Sequence, residues 1–182
     1  MLSDITLSAV WAYWRQQRAG HAIPLFDSID LPALGAAARR IIMVERNAIG
    51  RFRYSQVGAG IQETYGYPME GLYIDVALPP DRRLQAVARY ALACGAGKPI
   101  LTRSRYGASP GVGFIVDRLI LPLARADGSV WGAMSGQVMR SPRDLHAVVG
   151  TGEMNQLLGD EVVWLDPDEE RPGASTATAG GA

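Results

Sequence analysis

The chain has 182 residues with 18 basic and 18 acidic side chains, enough for one domain with a real core and without the charge excess of a nucleic-acid binder. No apolar run reaches the roughly 18 to 20 residues that cross a bilayer, and the start of the chain, with Asp4 and no basic stretch, does not read as a signal peptide. The single cysteine, Cys94, excludes an internal disulfide, so a cytoplasmic protein is expected.

Ser3 or Asp4 caps a first helix in which Leu7, Val10, Trp11 and Trp14 recur on one stripe, with Gly20 as the stop. Two tryptophans on a short helix must bury about 150–250 Å² each. They either lie on the sheet of their own domain or join a second copy of the helix as a dimer or partner interface. Both readings are open, and residues 1–20 are a packing or dimerisation unit in either case.

Residues 21–40 form a connector with Pro24, Pro32 and one helical turn at 31–38. Residues 41–45 (IIMVE) read as a strand, 47–50 as a turn and 51–57 as the return strand. On that strand Phe52, Tyr54 and Gln56 share one face, and Arg51, Arg53 and Ser55 the other. A short helix at 61–65 ends at Gly66, and 67–72 is irregular. Pro79-Pro80-Asp81 opens the longest helix, with Leu84, Val87, Ala88 and Ala91 as its expected buried stripe and Gly95 as its end. In the strand at 99–106, Ile100, Thr102, Ser104 and Tyr106 face one way, and Leu101, Arg103 and Arg105 the other.

Residues 111–140 are the centre of the design. An apolar run at 114–123 meets the turn Ala126-Asp127-Gly128-Ser129, and a second run follows at 130–138, which reads as a β-hairpin. Phe114, Val116 and Ile120 share one parity, and Ile115, Leu119, Leu121 and Leu123 the other, so this strand needs cover on both sides. Residues 154–164, with Leu157, Leu158, Val162, Val163 and Trp164, read as a helical turn plus strand or as an interaction segment. From residue 166 the composition turns acidic and then small, which cannot bury a core. The expected organisation is an N-terminal helix (1–20), a folded domain (21–141), a C-terminal extension (142–165) and a disordered tail (166–182). The expected class is α+β, with a five-stranded antiparallel sheet, helices between strands 2 and 3, and the N-terminal helix on the sheet.

In that order the residues resemble a PAS domain, closest to the standalone PAS family common in alphaproteobacteria. The marks are Tyr13-Trp14 on the leading helix, the Asp27-Ser28-Ile29-Asp30 group, Arg51-Phe52-Arg53-Tyr54 with Val57-Gly58, and Gly60-Ile61. Tyr65-Gly66, Gly71 and Arg118-Leu119-x-Leu121-Pro122-Leu123 followed by Asp127-Gly128 continue the pattern. The resemblance covers residues 7–140, and the small residues at 35–38 depart from it. It implies a bacterial module that senses a small molecule, light or redox state, or that dimerises for signalling. No output domain is fused to it in this sequence, so output is expected through a protein partner or a homodimer rearrangement.

The chemistry-bearing residues point to binding rather than catalysis. Gly58-Ala59-Gly60 with Glu63 in the third glycine's place invites a dinucleotide reading, but no βαβ crossover or ribose-binding acid accompanies it; a tight strand-to-helix turn is the expectation. Cys94 ends a helix, away from the N-terminal dipole that activates a thiol, and the Asn-Cys-Arg motif of flavin-photosensing PAS domains is absent. His21 and His146 have no companion at metal-ligand spacing, and neither lies on the long helix where haem-binding PAS domains place their ligand. No haem, flavin, nucleotide or metal is therefore expected. Tyr54, Tyr65, Thr102, Ser104 and Tyr106, with Ile61, converge on a small-molecule pocket if their parities face inward; otherwise the tyrosines pack in the core. The alternative is a small α+β enzyme with a pocket lined by Tyr106, Asp117 and Arg118. No Ser-His-acid group or carboxylate pair supports it.

Overall fold

The computed structural model describes residues 2–109, 112–140 and 156–169. Helix α1 (Ile5–Gln17) starts where Asp4 accepts hydrogen bonds from the backbone N–H of Thr6 (2.8 Å) and Leu7 (3.1 Å). Two 3-10 helices follow, Phe26–Ser28 and Leu31–Arg40, the second kinked at Gly35. The expected single turn at 31–38 is thus a longer, broken segment.

Strands β1 (Ile41–Arg46) and β2 (Phe52–Val57) form the first hairpin. Helices α2 (Ala59–Tyr65), α3 (Ile74–Ala77) and α4 (Pro80–Ala96) come next. Strands β3 (Ile100–Ser109), β4 (Val112–Ala124), β5 (Val130–Arg140) and β6 (Gln156–Trp164) complete the described chain. All pairings are antiparallel, in the order β2-β1-β5-β4-β3-β6. The class is α+β, and the central hairpin is the expected one: Asp127 accepts from the Ser129 N–H (2.9 Å), and Gly128 takes the left-handed conformation between β4 and β5.

Both faces of β4 are covered. Leu119, Leu121 and Leu123 share a buried cluster with Ile41, Met43 and Met134 of the sheet and with Leu7, Val10, Trp11 and Trp14 of α1. Ile120 lies on the other face with Ile42, Val44, Phe52, Tyr54, Ile61, Ile74 and Tyr90, beneath α2, α3 and α4. Helix α1 comes close to the sheet because β5 offers Gly136 there; a Cβ at that position would lie 3.1 Å from Leu7 Cδ2. Trp14 is fully buried and donates from Nε1 to the Pro122 carbonyl at 2.9 Å. Of the two readings of the tryptophan stripe, the chain's own sheet takes all four side chains. Leu7, Val10, Trp11 and Trp14 have almost no surface left for a second copy.

Four expectations need correction. Among the described residues the sheet has six strands: β6 pairs with β3 from Ile100 to Gly107, so residues 156–164 belong to the sheet rather than to an extension beside it. Part of the expected tail is structured, since residues 167–168 form a turn in which Asp168 meets Arg18 at 2.7 Å; residues 141–155 and 170–182 lie outside the described residues. The β2 alternation breaks after Tyr54, because a bulge opposite Met43/Val44 buries Val57 and leaves Gln56 exposed. Finally, α4 turns Arg89, Tyr90, Ala93 and Cys94 inward, while Leu84 is 78% exposed and Ala88 and Ala91 face out. The helix is apolar on two faces, so periodicity alone could not rank them. Arg89 can go inside because Asp160 of β6 meets it at 2.8 Å. The helix also runs past Gly95 to a left-handed Gly97 cap.

Candidate functional site

A cavity lies between the sheet and the helices of the α2–α4 side. Strand alternation supplies its floor. Even-numbered positions of β3 and β4 face the helices, which brings Tyr106, Phe114, Val116, Arg118 and Ile120 to one wall. Tyr54 comes from β2, Tyr65 from α2, Arg82, Arg89 and Tyr90 from α4, and Gln137 and Met139 from β5. The free space is about 40 Å³, room for a few water molecules at the roughly 10–15 Å³ each requires.

Tyr54, Tyr65 and Tyr106 all line this cavity. Ser104 is buried on the same face and reaches it through Arg118. Thr102 shares the parity and is buried without lining the cavity, and Ile61 packs in the surrounding apolar cluster. The enzyme reading's set is divided. Tyr106 and Arg118 share the cavity, but Asp117 is on the opposite face, bidentate to Arg103 (2.8 and 3.0 Å) and paired with Arg140. Asp117 is a structural ion-pair carboxylate.

The polar groups form one network. The Ser104 hydroxyl accepts from Arg89 Nη2 (3.0 Å) and Arg118 Nη1 (2.9 Å) and donates to Asp160 Oδ1 (2.9 Å). Arg118 Nε donates to Gln137 Oε1 at 3.1 Å. Burial pushes the Tyr106 phenol up, but the Arg118 and Arg89 guanidiniums outweigh it and hold the group below the ordinary tyrosine value. Burial alone dominates elsewhere: it raises Tyr54 and pushes Tyr90 up to about 12. For Arg118 burial opposes the charge, and the phenols of Tyr106 and Tyr65 outweigh it, leaving the pKa above the ordinary arginine value.

Arg89, Gln137, Tyr90 and Met69 escaped the sequence reading as site residues. For Arg89 and Tyr90 the cause was the misphased helix stripe. As a site residue, Arg118 stood only in the enzyme alternative's set, beside Asp117. Its signal was present in the strand itself, since it shares parity with the buried Val116 and Ile120 and so had to point inward.

The other candidates resolve into structure. Gly58 caps α2, and a Cβ there would meet the carbonyl oxygens of Ala38 and Arg39 at 2.4 and 2.5 Å, so the glycine serves backbone packing. His21 sits exposed after α1, and His146 lies outside the described residues. Among the described residues no helix is long and apolar enough to cross a membrane. Cys94 is buried under β5, donates from Sγ to the Gly132 carbonyl (3.3 Å), and has its pKa raised to about 12 by burial.

That burial sets an expected result. The folded thiol keeps its proton above the ordinary range, so its contribution to stability is complete below about pH 9 and is lost as pH rises toward 12. The upper limit is about 4 kcal/mol. Native protein should leave Cys94 unreactive to a thiol reagent at neutral pH, and Cys94→Ala should flatten the fall of unfolding free energy between about pH 9 and 11. Rapid native labelling would contradict the burial. No family model, no curated protein and no solved structure matches the chain.

Proposed function

We propose that this chain is a noncatalytic PAS-like sensory module that takes a small ligand into the cavity between the sheet and α2–α4. One observation carries the reading: an apolar chamber inside the core is interrupted by the phenols of Tyr54, Tyr65 and Tyr106 and by the Arg118 guanidinium. Apolar walls with a few convergent polar groups suit small-molecule recognition. The helices between β2 and β3 on one face of the sheet and α1 on the other support the reading, while the sheet carries a sixth strand beyond the five expected of a PAS-like fold. The enzyme alternative loses support because Asp117 points away from Tyr106 and Arg118.

Native mass spectrometry of protein purified from its own host tests this directly. A reproducible extra mass per chain, lost on denaturation, is expected; a bare chain in every preparation would remove the ligand from the proposal.

A cytoplasmic homodimer that signals to a protein partner belongs to the same proposal. With the α1 stripe buried, the outer face of α4 supports it: Leu84, Ala88, Ala91 and Leu92 form an uncovered apolar strip suited to a second copy of this chain. Leu84→Glu should convert a dimer to a monomer in light scattering while moving stability by about 0.5 kcal/mol or less. A dimer unchanged by that substitution would take the interface off α4.

A further inference from the structure

The ligand's chemical class can be read from an imbalance in the cavity. Its polar groups are mostly donors. Arg118 is half-buried and faces the space, yet among the described residues no carboxylate pairs with it. Asp160 is engaged by Arg89 at 2.8 Å, and Asp117 is on the other face of the sheet with Arg103 and Arg140. A guanidinium carries five N–H donors. The described residues accept two of them, at Ser104 Oγ and Gln137 Oε1, with the Tyr106 phenol alongside.

Gln137 gives an independent sign. It lines the cavity, is 2% exposed, and its Nε2 has no hydrogen-bond partner. Its orientation follows from chemistry: Oε1 must face the Arg118 Nε–H, since a flipped amide would set donor against donor. The unpartnered group is therefore a donor. A guanidinium that no carboxylate faces and a buried N–H without an acceptor can both be met by one species: an oxygen-bearing anion.

We infer that the cavity is a site for a small oxyanion of carboxylate or phosphate type, held by Arg118 with Gln137 Nε2 and the phenol of Tyr106. The inference rests on the ligand-binding reading above and names its chemistry. The space of about 40 Å³ limits the ligand, or the part of it that enters, to a few heavy atoms. Asp160 keeps Arg89 and Ser104 occupied, and Arg118, beside Gln137 on the sheet side of the cavity, is the cation placed to hold the anion.

Calorimetric titration of the full chain with acetate, with inorganic phosphate and with neutral acetamide tests this, in a buffer of bulky ions that cannot enter. Saturable binding of acetate or phosphate is expected, with no binding of acetamide, and Arg118→Met should weaken the anion by about tenfold or more. Melting temperatures guard against a folding artefact. Arg118→Met should still unfold in one cooperative transition whose midpoint the anion does not move, whereas added anion should raise that of the wild type. Acetamide binding as well as acetate, or unchanged anion binding by Arg118→Met, would overturn the inference. Host-purified protein carrying a neutral extra mass while both anions fail to bind would overturn the anion and leave the ligand reading standing. No adduct and no anion binding would overturn both.

Discussion

Trp14→Ala should be the most damaging single change on the α1 side of the sheet, costing about 3–5 kcal/mol. The indole is fully buried, stacks on Trp11 at 5.7 Å between ring centres, and donates to the Pro122 carbonyl in β4. Truncation leaves a large void among Leu119, Leu121, Met43 and Met134 and takes the indole donor away from the Pro122 carbonyl. For a chain of this size the melting temperature should fall by about 10 °C or more. Ile5→Ala, on the same helix but 86% exposed, should move it very little. The loss should not depend on protein concentration, because the burial is within one chain. A Trp14→Ala protein that melts with the wild type would mean that α1 does not cover this face.

Asp160→Ala should be nearly as costly, for an electrostatic reason. Asp160 is the carboxylate that meets Arg89, whose side chain is 6% exposed against 24% for Asp160. Removing it leaves a guanidinium inside the protein without a counter-charge, a change that typically costs about 3–5 kcal/mol. The partial exposure of Asp160 places the expectation near about 3 kcal/mol, since water already screens some of the pair. The loss also frees the Ser104 hydroxyl and one tie between β6 and α4. Adding Arg89→Met should recover much of the stability, because the stranded charge goes with it. Denaturant unfolding of the two single variants and the double variant measures this. Independent, additive effects would contradict a coupled buried pair.

The central hairpin and the two covered faces were legible because β4 is apolar at both parities. That pattern has one physical solution, a strand sandwiched between layers. The tryptophan stripe was legible as a stripe, but periodicity names no partner, and its own sheet turned out to cover it. Strand β6 was obscured by Gly159-Asp160-Glu161 at its centre, a run that looks like a solvated turn. Those residues make sense only against β3 and α4, more than fifty positions earlier, where Asp160 meets Ser104 and Arg89. The phase of α4 depended on the same distant carboxylate. Of the site, the three tyrosines followed from strand and helix parity. The role of Arg118 did not, because it was grouped with Asp117 in one pocket, although adjacent residues in a strand face opposite sides.

The central claim is that a ligand enters the chamber under α2–α4, and methionine methyl groups report on it from both sides of the sheet. Met69 and Met139 line the cavity, whereas Met43 and Met134 lie in the cluster beneath α1. With 13C-methyl methionine, NMR spectra taken while adding a low-molecular-mass filtrate of host cell extract should show Met69 and Met139 shifting and Met43 and Met134 still. Shifts confined to Met43 and Met134, or no shift at any of the four, would contradict the account.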